Sequence, residues 1–135
     1  MTKPSTLVSC IIPTCDRRDY LLKALESVLS QTAKPFEIIV VNNGKDRLSL
    51  PVELAGQVTV YNIVPYAGAA QARNFGAAVA AGDYLAFLDD DDIWMPQYLE
   101  HVQTAIENGA LCVISRLDAV IEGKQVTFKN PHGRV

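Results

Sequence analysis

Apolar positions along the chain fall into two alternating rhythms. Leu7-Val-Ser-Cys-Ile-Ile12 is a short apolar run, rich in β-branched residues and stopped by Pro13, the pattern of a strand buried on both faces. From Leu21 the period changes. Leu21, Ala24, Leu25, Val28 and Leu29 recur at the spacing of a helix with one face in a core, and Asp19 is its expected N-cap. Phe36 to Val41 reads as a second strand ending at Asn42-Asn43-Gly44, and Val58 to Val64 as a third ending near Pro65, with a polar loop between them. Helical spacing returns at Ala72, Phe75, Gly76, Val79 and Ala80, before Gly82-Asp83 turns the chain into a fourth strand, Tyr84 to Leu88. Pro96 opens a helix with inner face Leu99, Val102 and Ile106, Gly109 stops it, and Leu111 to Ser115 reads as a strand. Asp118 to Ile121 and Gln125 to Phe128 flank Gly123-Lys124 as a short hairpin, and Asn130 to Val135 reads as a frayed end.

Strands alternating with helices predict the α/β class: a mainly parallel sheet with helices on both faces, wound by right-handed crossovers. With 135 residues, 49% of them hydrophobic, the chain has the length and apolar content of a single domain over 1–135. The formal charge of -3, with Lys and Arg scattered, argues against nucleic acid as the main partner. Cys10, Cys15 and Cys112 fit neither paired metal-ligand spacing nor a disulfide framework. They read as thiols in a reducing compartment, which makes the cytoplasm the expected location. Residues 1–6 lack the build of a signal peptide, and no apolar run approaches the ~20 residues of a membrane span. Any membrane association is therefore expected to be peripheral and through a partner.

In sheets of this kind, ligands bind beyond the carboxyl ends of the strands, near the point where strand order reverses. Three expected strand ends carry unusual polar residues: Thr14-Cys15-Asp16, Asn42-Asn43-Gly44 and Asp89 to Asp92. Consecutive carboxylates repel one another, which raises their pKa values and costs stability unless positive charge is near. A hard cation relieves this. On an extended stretch alternate side chains point the same way, so Asp89 and Asp91 can share one ion while Asp90 faces a ligand hydroxyl. Mg2+ or Mn2+ suits such a site, because it takes one or two carboxylates and completes its shell with water and substrate phosphates. The competing reading is a solvated acidic turn with Asp92 capping the next helix.

Arg73, near the start of the helix after Gly68, is placed to meet a diphosphate, with Asn74 supporting the loop; a surface arginine is the alternative. Asn42 and Asn43 suit the reading of a base edge, and equally a glycine-assisted turn. Asp16, beside Arg17 and Arg18, lines the pocket over a nucleotide or belongs to a solvated loop of mixed charge. Trp94 reads as a packing residue below the acidic loop rather than a sugar platform. His101 and His132 have no partner at ligand spacing.

Taken in order, Val8-Ser-Cys-Ile-Ile-Pro-Thr14, Leu25-Glu-Ser-Val-Leu-Ser-Gln-Thr32, Glu37-Ile-Ile-Val-Val41, Ala72-Arg-Asn-Phe-Gly76 and Phe87-Leu-Asp-Asp-Asp-Asp-Ile-Trp94 resemble the family-2 glycosyltransferases. The resemblance runs from about Val8 to Leu99. It implies a Rossmann-like GT-A fold, a nucleotide-diphosphate sugar donor, usually a uridine one, and a divalent cation, Mn2+ or Mg2+. Transfer would go to a saccharide, lipid or protein hydroxyl acceptor with inversion, as in polysaccharide biosynthesis. By the same resemblance, Pro13 and Thr14 cradle the nucleoside, Asn43 stands at the family's base-reading aspartate, and Arg73 lies near the nucleotide. Asp89 and Asp91 form the Asp-x-Asp pair, whose ion bridges the two phosphates and offsets charge on the leaving nucleotide.

The sequence departs from the family at three points. Cys15-Asp16 replaces the usual Tyr-Asn, and Asn42-Asn43-Gly44-Lys45 replaces Asp-Asp-Gly-Ser. An asparagine accepts from a uracil N–H but also donates, which leaves the nucleotide open. The acceptor-binding region and catalytic carboxylate of relatives lie beyond the length of this chain, so no catalytic base is assigned. A non-catalytic nucleotide-sugar-binding module or subunit is accordingly the second reading. A dinucleotide dehydrogenase would need Gly-x-Gly-x-x-Gly where Pro13-Thr-Cys-Asp-Arg-Arg18 stands. A phosphorelay receiver would carry its acidic pair after the first strand. A nucleotidyltransferase shares products and metal needs, but its glycine-rich loop is absent.

Overall fold

The computed structural model describes residues 6–115 and the backbone of 118–121 and 124–127. The chain runs β1 (Val8–Thr14), α1 (Arg18–Leu29), β2 (Glu37–Asn42), α2 (Val52–Ala55), β3 (Thr59–Asn62), α3 (Ala69–Val79), β4 (Tyr84–Phe87), α4 (Tyr98–Glu107), β5 (Asp118–Ile121) and β6 (Lys124–Thr127). The first four strands form one sheet in the order β3-β2-β1-β4, and every pairing in it is parallel. β5 and β6 pair antiparallel as the expected hairpin, its turn and Phe128 lying outside the described residues.

Burial explains the central position of β1 and β2. Every β1 side chain is buried, and the two strands divide theirs between two cores. On one face Val8, Cys10, Ile12, Ile38 and Val40 pack with Leu21, Ala24, Leu25 and Val28 of α1 and with Leu99 of α4. Ile39 and Val41 face the other way and meet Ala72 of α3. Helices thus cover both faces, as an α/β reading requires, and each fully buried leucine or isoleucine contributes about 1.5–3 kcal/mol. Burial pushes the Cys10 thiol well above its ordinary pKa, so it acts as a packing group.

Four expectations need correction. Pro13 does not stop β1, which continues to Thr14. Val8 and Thr14 turn their carbonyls toward β2, accepting from the backbone N–H groups of Phe36 at 2.8 Å and Asn43 at 2.9 Å. Ile11 turns toward β4, accepting from Leu88 at 3.0 Å. By alternation Pro13 faces the β4 side, just beyond Ile11↔Phe87 where that ladder ends, so its missing N–H removes no bond. Asp19 is not the N-cap of α1: the helix starts at Arg18, Arg17 holds the cap position without a side-chain bond, and Asp19 sits in the first turn. Its carboxylate there still favours the positive helix end. The loop before β3 contains the single-turn helix α2 after Pro51. Leu111 to Ser115 forms no strand among the described residues; Leu111 and Ile114 are exposed, and an apolar run becomes a strand only where another strand pairs with it.

α3 begins at Ala69, earlier than its periodicity indicates, because Gly68 at φ 98° supplies the entry turn. Gly76 in this helix lies against β1. A Cβ there would stand 2.6 Å from Ile11 Cγ2 and 3.4 Å from Val41 Cγ2. Gly76→Ala is expected to lower unfolding stability by about 1–3 kcal/mol through overpacking, despite alanine's better helix propensity. Urea denaturation of the two proteins measures it.

Candidate functional site

Strand order brings the polar strand ends together. The chain steps outward from β1 to β2 to β3, then α3 returns it to the opposite side of β1, so order reverses between β1 and β4. Beyond this seam opens a cleft of about 390 Å³ lined by Pro13, Thr14, Cys15, Arg17, Asn43, Tyr66, Gly68, Ala69, Arg73, Asp89, Asp90 and Asp91. Pro13, Thr14, Asn43, Arg73, Asp89, Asp90 and Asp91 therefore line one cleft, though Asp90, expected to face a ligand hydroxyl, is buried against Thr14 and Arg17. Asp16 and Asn42 instead line a neighbouring recess with Lys45, Asp46 and Arg47.

The seam is closed by a buried bond in which Thr14 Oγ1 donates to Asp90 Oδ2 at 2.9 Å. Asp90 is 3% exposed, and its other oxygen lies 3.5 Å from the Arg17 guanidinium. After β4 the chain does not stay extended: the N–H of Asp92 donates to the carbonyl of Asp89 at 3.1 Å, closing a turn. The turn, rather than strand alternation, brings carboxylate oxygens of Asp89, Asp91 and Asp92 within 4.8 Å of one another, all three exposed. Asp92 is thus a member that alternation missed. Three hard oxygen donors at this separation fit a small divalent cation.

Two arginines offset the acidic charge. Arg17 lies 3.2 Å from Asp91, and Arg73 donates to Asp89 Oδ1 at 2.7 Å. Partial burial first, then the charges of Asp91, Asp89 and Asp90, hold the Asp92 carboxyl above the usual aspartate range. Arg17 was legible only as a basic neighbour of Asp16; its partner is 74 positions away.

The amide residues are organised by backbone. Asn43 is 3% exposed; its Nδ2 donates to the Thr14 carbonyl at 3.0 Å, and its Oδ1 accepts from Gly68 N–H at 3.2 Å. Asn42 gives its amide protons to the Asp46 carbonyl and Asn62 Oδ1, both at 2.8 Å, and accepts from Gly44 N–H at 2.9 Å. That geometry is a turn brace. Asp16, at φ 53°, joins three loops: its carboxylate accepts from Lys45 N–H at 2.8 Å and from the Tyr66 hydroxyl at 3.0 Å. A Cβ on Gly44 would collide with that carboxylate, so glycine is needed for this approach.

Below the acidic turn, Trp94 is buried and stacks on Tyr98 with centroids 4.6 Å apart, a packing role. Gln31 holds the following segment to α1: its Nε2 donates to the Ser27 and Met95 carbonyls, and its Oε1 accepts from Leu99 N–H at 3.0 Å. Sequence periodicity gave no sign of this buried glutamine's role.

A parallel α/β domain with acidic and basic side chains gathered at its strand-order reversal belongs to the doubly wound class, whose ligands bind at that switch point. The model of glycosyl transferase family 2 matches residues 9–133, and the chain belongs to that family. An uncharacterised glycosyltransferase of Haemophilus influenzae is 39% identical over 102 residues, covering 75% of this chain and 35% of the relative. The uncharacterised Bacillus subtilis glycosyltransferase YwdF is 35% identical over 103 residues, covering 74% and 38%. This chain thus spans little more than a third of the length of these relatives. Crystal structures of S. aureus TarS share the fold: residues 1–349 superpose with a TM-score of 0.68 at 23% identity, covering 76% of this chain and 33% of that one. The same TarS region in complex with UDP-GlcNAc gives a TM-score of 0.65 at 22% identity, covering 76% and 32%. The arrangement is the GT-A one.

Two outcomes follow from this geometry. Thr14→Val leaves the buried Asp90 carboxylate short of a donor and is expected to cost about 1–3 kcal/mol in denaturant unfolding, with Thr14→Ser recovering most of it. Because the folded-state pKa of Asp92 is raised, its contribution to stability is present at low pH and lost as pH rises through that value. Asp92→Asn should therefore melt higher than the native chain at neutral pH without divalent cations, and the difference should vanish below the ordinary aspartate range.

Proposed function

We propose that this chain is the donor-binding part of a glycosyltransferase, taking a nucleotide-diphosphate sugar with a uridine nucleotide and transferring its sugar, with inversion, to a hydroxyl acceptor. The observation that carries this reading is the convergence of Arg73 with the Asp89-to-Asp92 turn in the cleft where strand order reverses. Family membership and the likeness to TarS support it. Asp89 and Asp91, with Asp92 adjacent, would hold Mg2+ or Mn2+, and that ion would act as a Lewis acid toward the diphosphate.

The remaining roles belong to the chain's own groups. Pro13 and Thr14 line the cleft at the end of β1, where the nucleoside would rest. Arg73 and Arg17 are the cations able to turn toward phosphate oxygens once their carboxylates are otherwise engaged, since guanidinium groups form charge-assisted bonds to either partner. Asn43 keeps an amide proton and an oxygen lone pair beyond its two bonds described above, enough to meet a base edge. Asn42 and Asp16 would act indirectly, by fixing the loops that bound the cleft. No helix among the described residues is long and apolar enough to cross a membrane.

Titration calorimetry with uridine diphosphate, with and without manganese, tests the reading on the native chain and on Asp91→Ala. Binding is expected to depend on manganese and to weaken at least about tenfold in the variant, or ~1.4 kcal/mol. No binding under any condition would remove the site assignment. Hydrolysis of a uridine diphosphate sugar by the same protein would separate an enzyme from a binding module.

A further inference from the structure

We propose that Tyr66 is the platform on which the donor's nucleobase stacks, an inference that rests on the donor-site reading above. Residues lining the cleft form two connected groups. Arg17, Arg73 and the aspartates make the charged group, suited to a diphosphate and a cation. Tyr66, Asn43 and Gly68 make the other, which is uncharged: Tyr66 N–H donates to the Asn43 carbonyl at 2.6 Å, and Gly68 N–H to Asn43 Oδ1 at 3.2 Å. A nucleoside diphosphate has the same division, with a flat, polar-edged base at one end and phosphates at the other.

Tyr66 is the only aromatic side chain lining the cleft among the described residues. The residue is 65% exposed. Two aromatic pairs form away from the cleft: Tyr61 packs edge-on against Phe75, and Trp94 stacks on Tyr98. Tyr66 has no such partner among the described residues, yet its position is specified. Its backbone holds φ 59°, an outlier for a bulky residue. Its hydroxyl donates to Asp16 Oδ2 at 3.0 Å, which ties the ring to the loop after β1. Strained backbone of this kind persists only where surrounding contacts impose it, and it concentrates at ligand clamps. Here the imposed conformation holds an exposed aromatic residue whose backbone is bonded to that of Asn43 in the same cleft. Aromatic faces bind bases with little regard to sequence, so Tyr66 would supply affinity and Asn43 discrimination.

Calorimetry in the presence of manganese distinguishes this role, using uridine diphosphate and inorganic pyrophosphate as probes on the native chain, Tyr66→Ala and Tyr66→Phe. Loss of one base stack is expected to weaken uridine diphosphate about tenfold or more in Tyr66→Ala, while pyrophosphate affinity stays within about twofold. Tyr66→Phe keeps the ring and should retain most of the nucleotide affinity, with thermal melts verifying that both variants fold. Unchanged nucleotide binding in Tyr66→Ala overturns the proposal, as does an equal loss for both probes or a Tyr66→Phe loss as large as that of alanine. If the native chain binds neither probe, the donor-site reading itself fails and takes this inference with it; native binding with an indifferent Tyr66→Ala fails this inference alone.

Discussion

The bond from Thr14 to Asp90 is the constraint on which the site depends. A parallel sheet leaves a crevice beyond its strand ends where strand order reverses, and here that parting falls between β1 and β4. A buried hydroxyl-to-carboxylate bond spans the parting. It does two things: it pins the start of the acidic turn to the most buried strand of the sheet, and it consumes one oxygen of the single aspartate in the run that is not exposed. Charge-assisted bonds of this kind are stronger than neutral ones, and a low-dielectric setting makes the loss of either partner costly. The exposed carboxylates of Asp89, Asp91 and Asp92 then occupy positions fixed relative to the cleft rather than relative to solvent.

Apart from Asp90, the crowded carboxylates lie at the surface. Arg17 reaches across from the loop after β1 and Arg73 from α3, so each neighbouring element contributes a counter-charge to the turn. The exposed pairs, Arg17 with Asp91 and Arg73 with Asp89, stabilise little, and solvent screens them. Their consequence is that the turn can exist without a bound cation while its partners remain exchangeable. A divalent ion and a diphosphate together present the same charges, two positive against several negative, in the complementary arrangement. The buried bond supplies position, and the exposed pairs supply adaptability.

Much of this was legible in the chain because burial on both faces leaves a plain record. β1 and β2 are continuous apolar runs, and α1 carries an unbroken core stripe. The chemistry at the strand ends was legible as residue type. What escaped were features that depend on neighbours distant in sequence. The cost of Pro13 turns on which strand its nitrogen would face, and Leu111 to Ser115 lacked a paired edge. Asp92 joined Asp89 and Asp91 through a turn, where an extended chain would have pointed it away. Arg17 and Asp91, or Gln31 and Leu99, are linked across 74 and 68 positions, and no local period encodes such pairs.

Asp16 and Tyr66 share the last of these lessons. Both hold positive φ, and each would read locally as an unfavourable choice at its position, since neither is glycine. Together they are consistent: the Asp16 carboxylate collects one donor from the loop after β2 and one from the loop after β3, so two strained residues brace three loops at once. Glycine at either position would adopt the backbone more easily but would remove the bond that gives the conformation its purpose. The loops bounding the cleft are therefore held by side chains rather than by the sheet ladder, which stops at Asn42 and Asn62. Side-chain ties of this sort let the strand ends stay rigid while the loops vary, and that is how a fold can keep its sheet while residues lining the cleft, here Asn43 and Cys15, change.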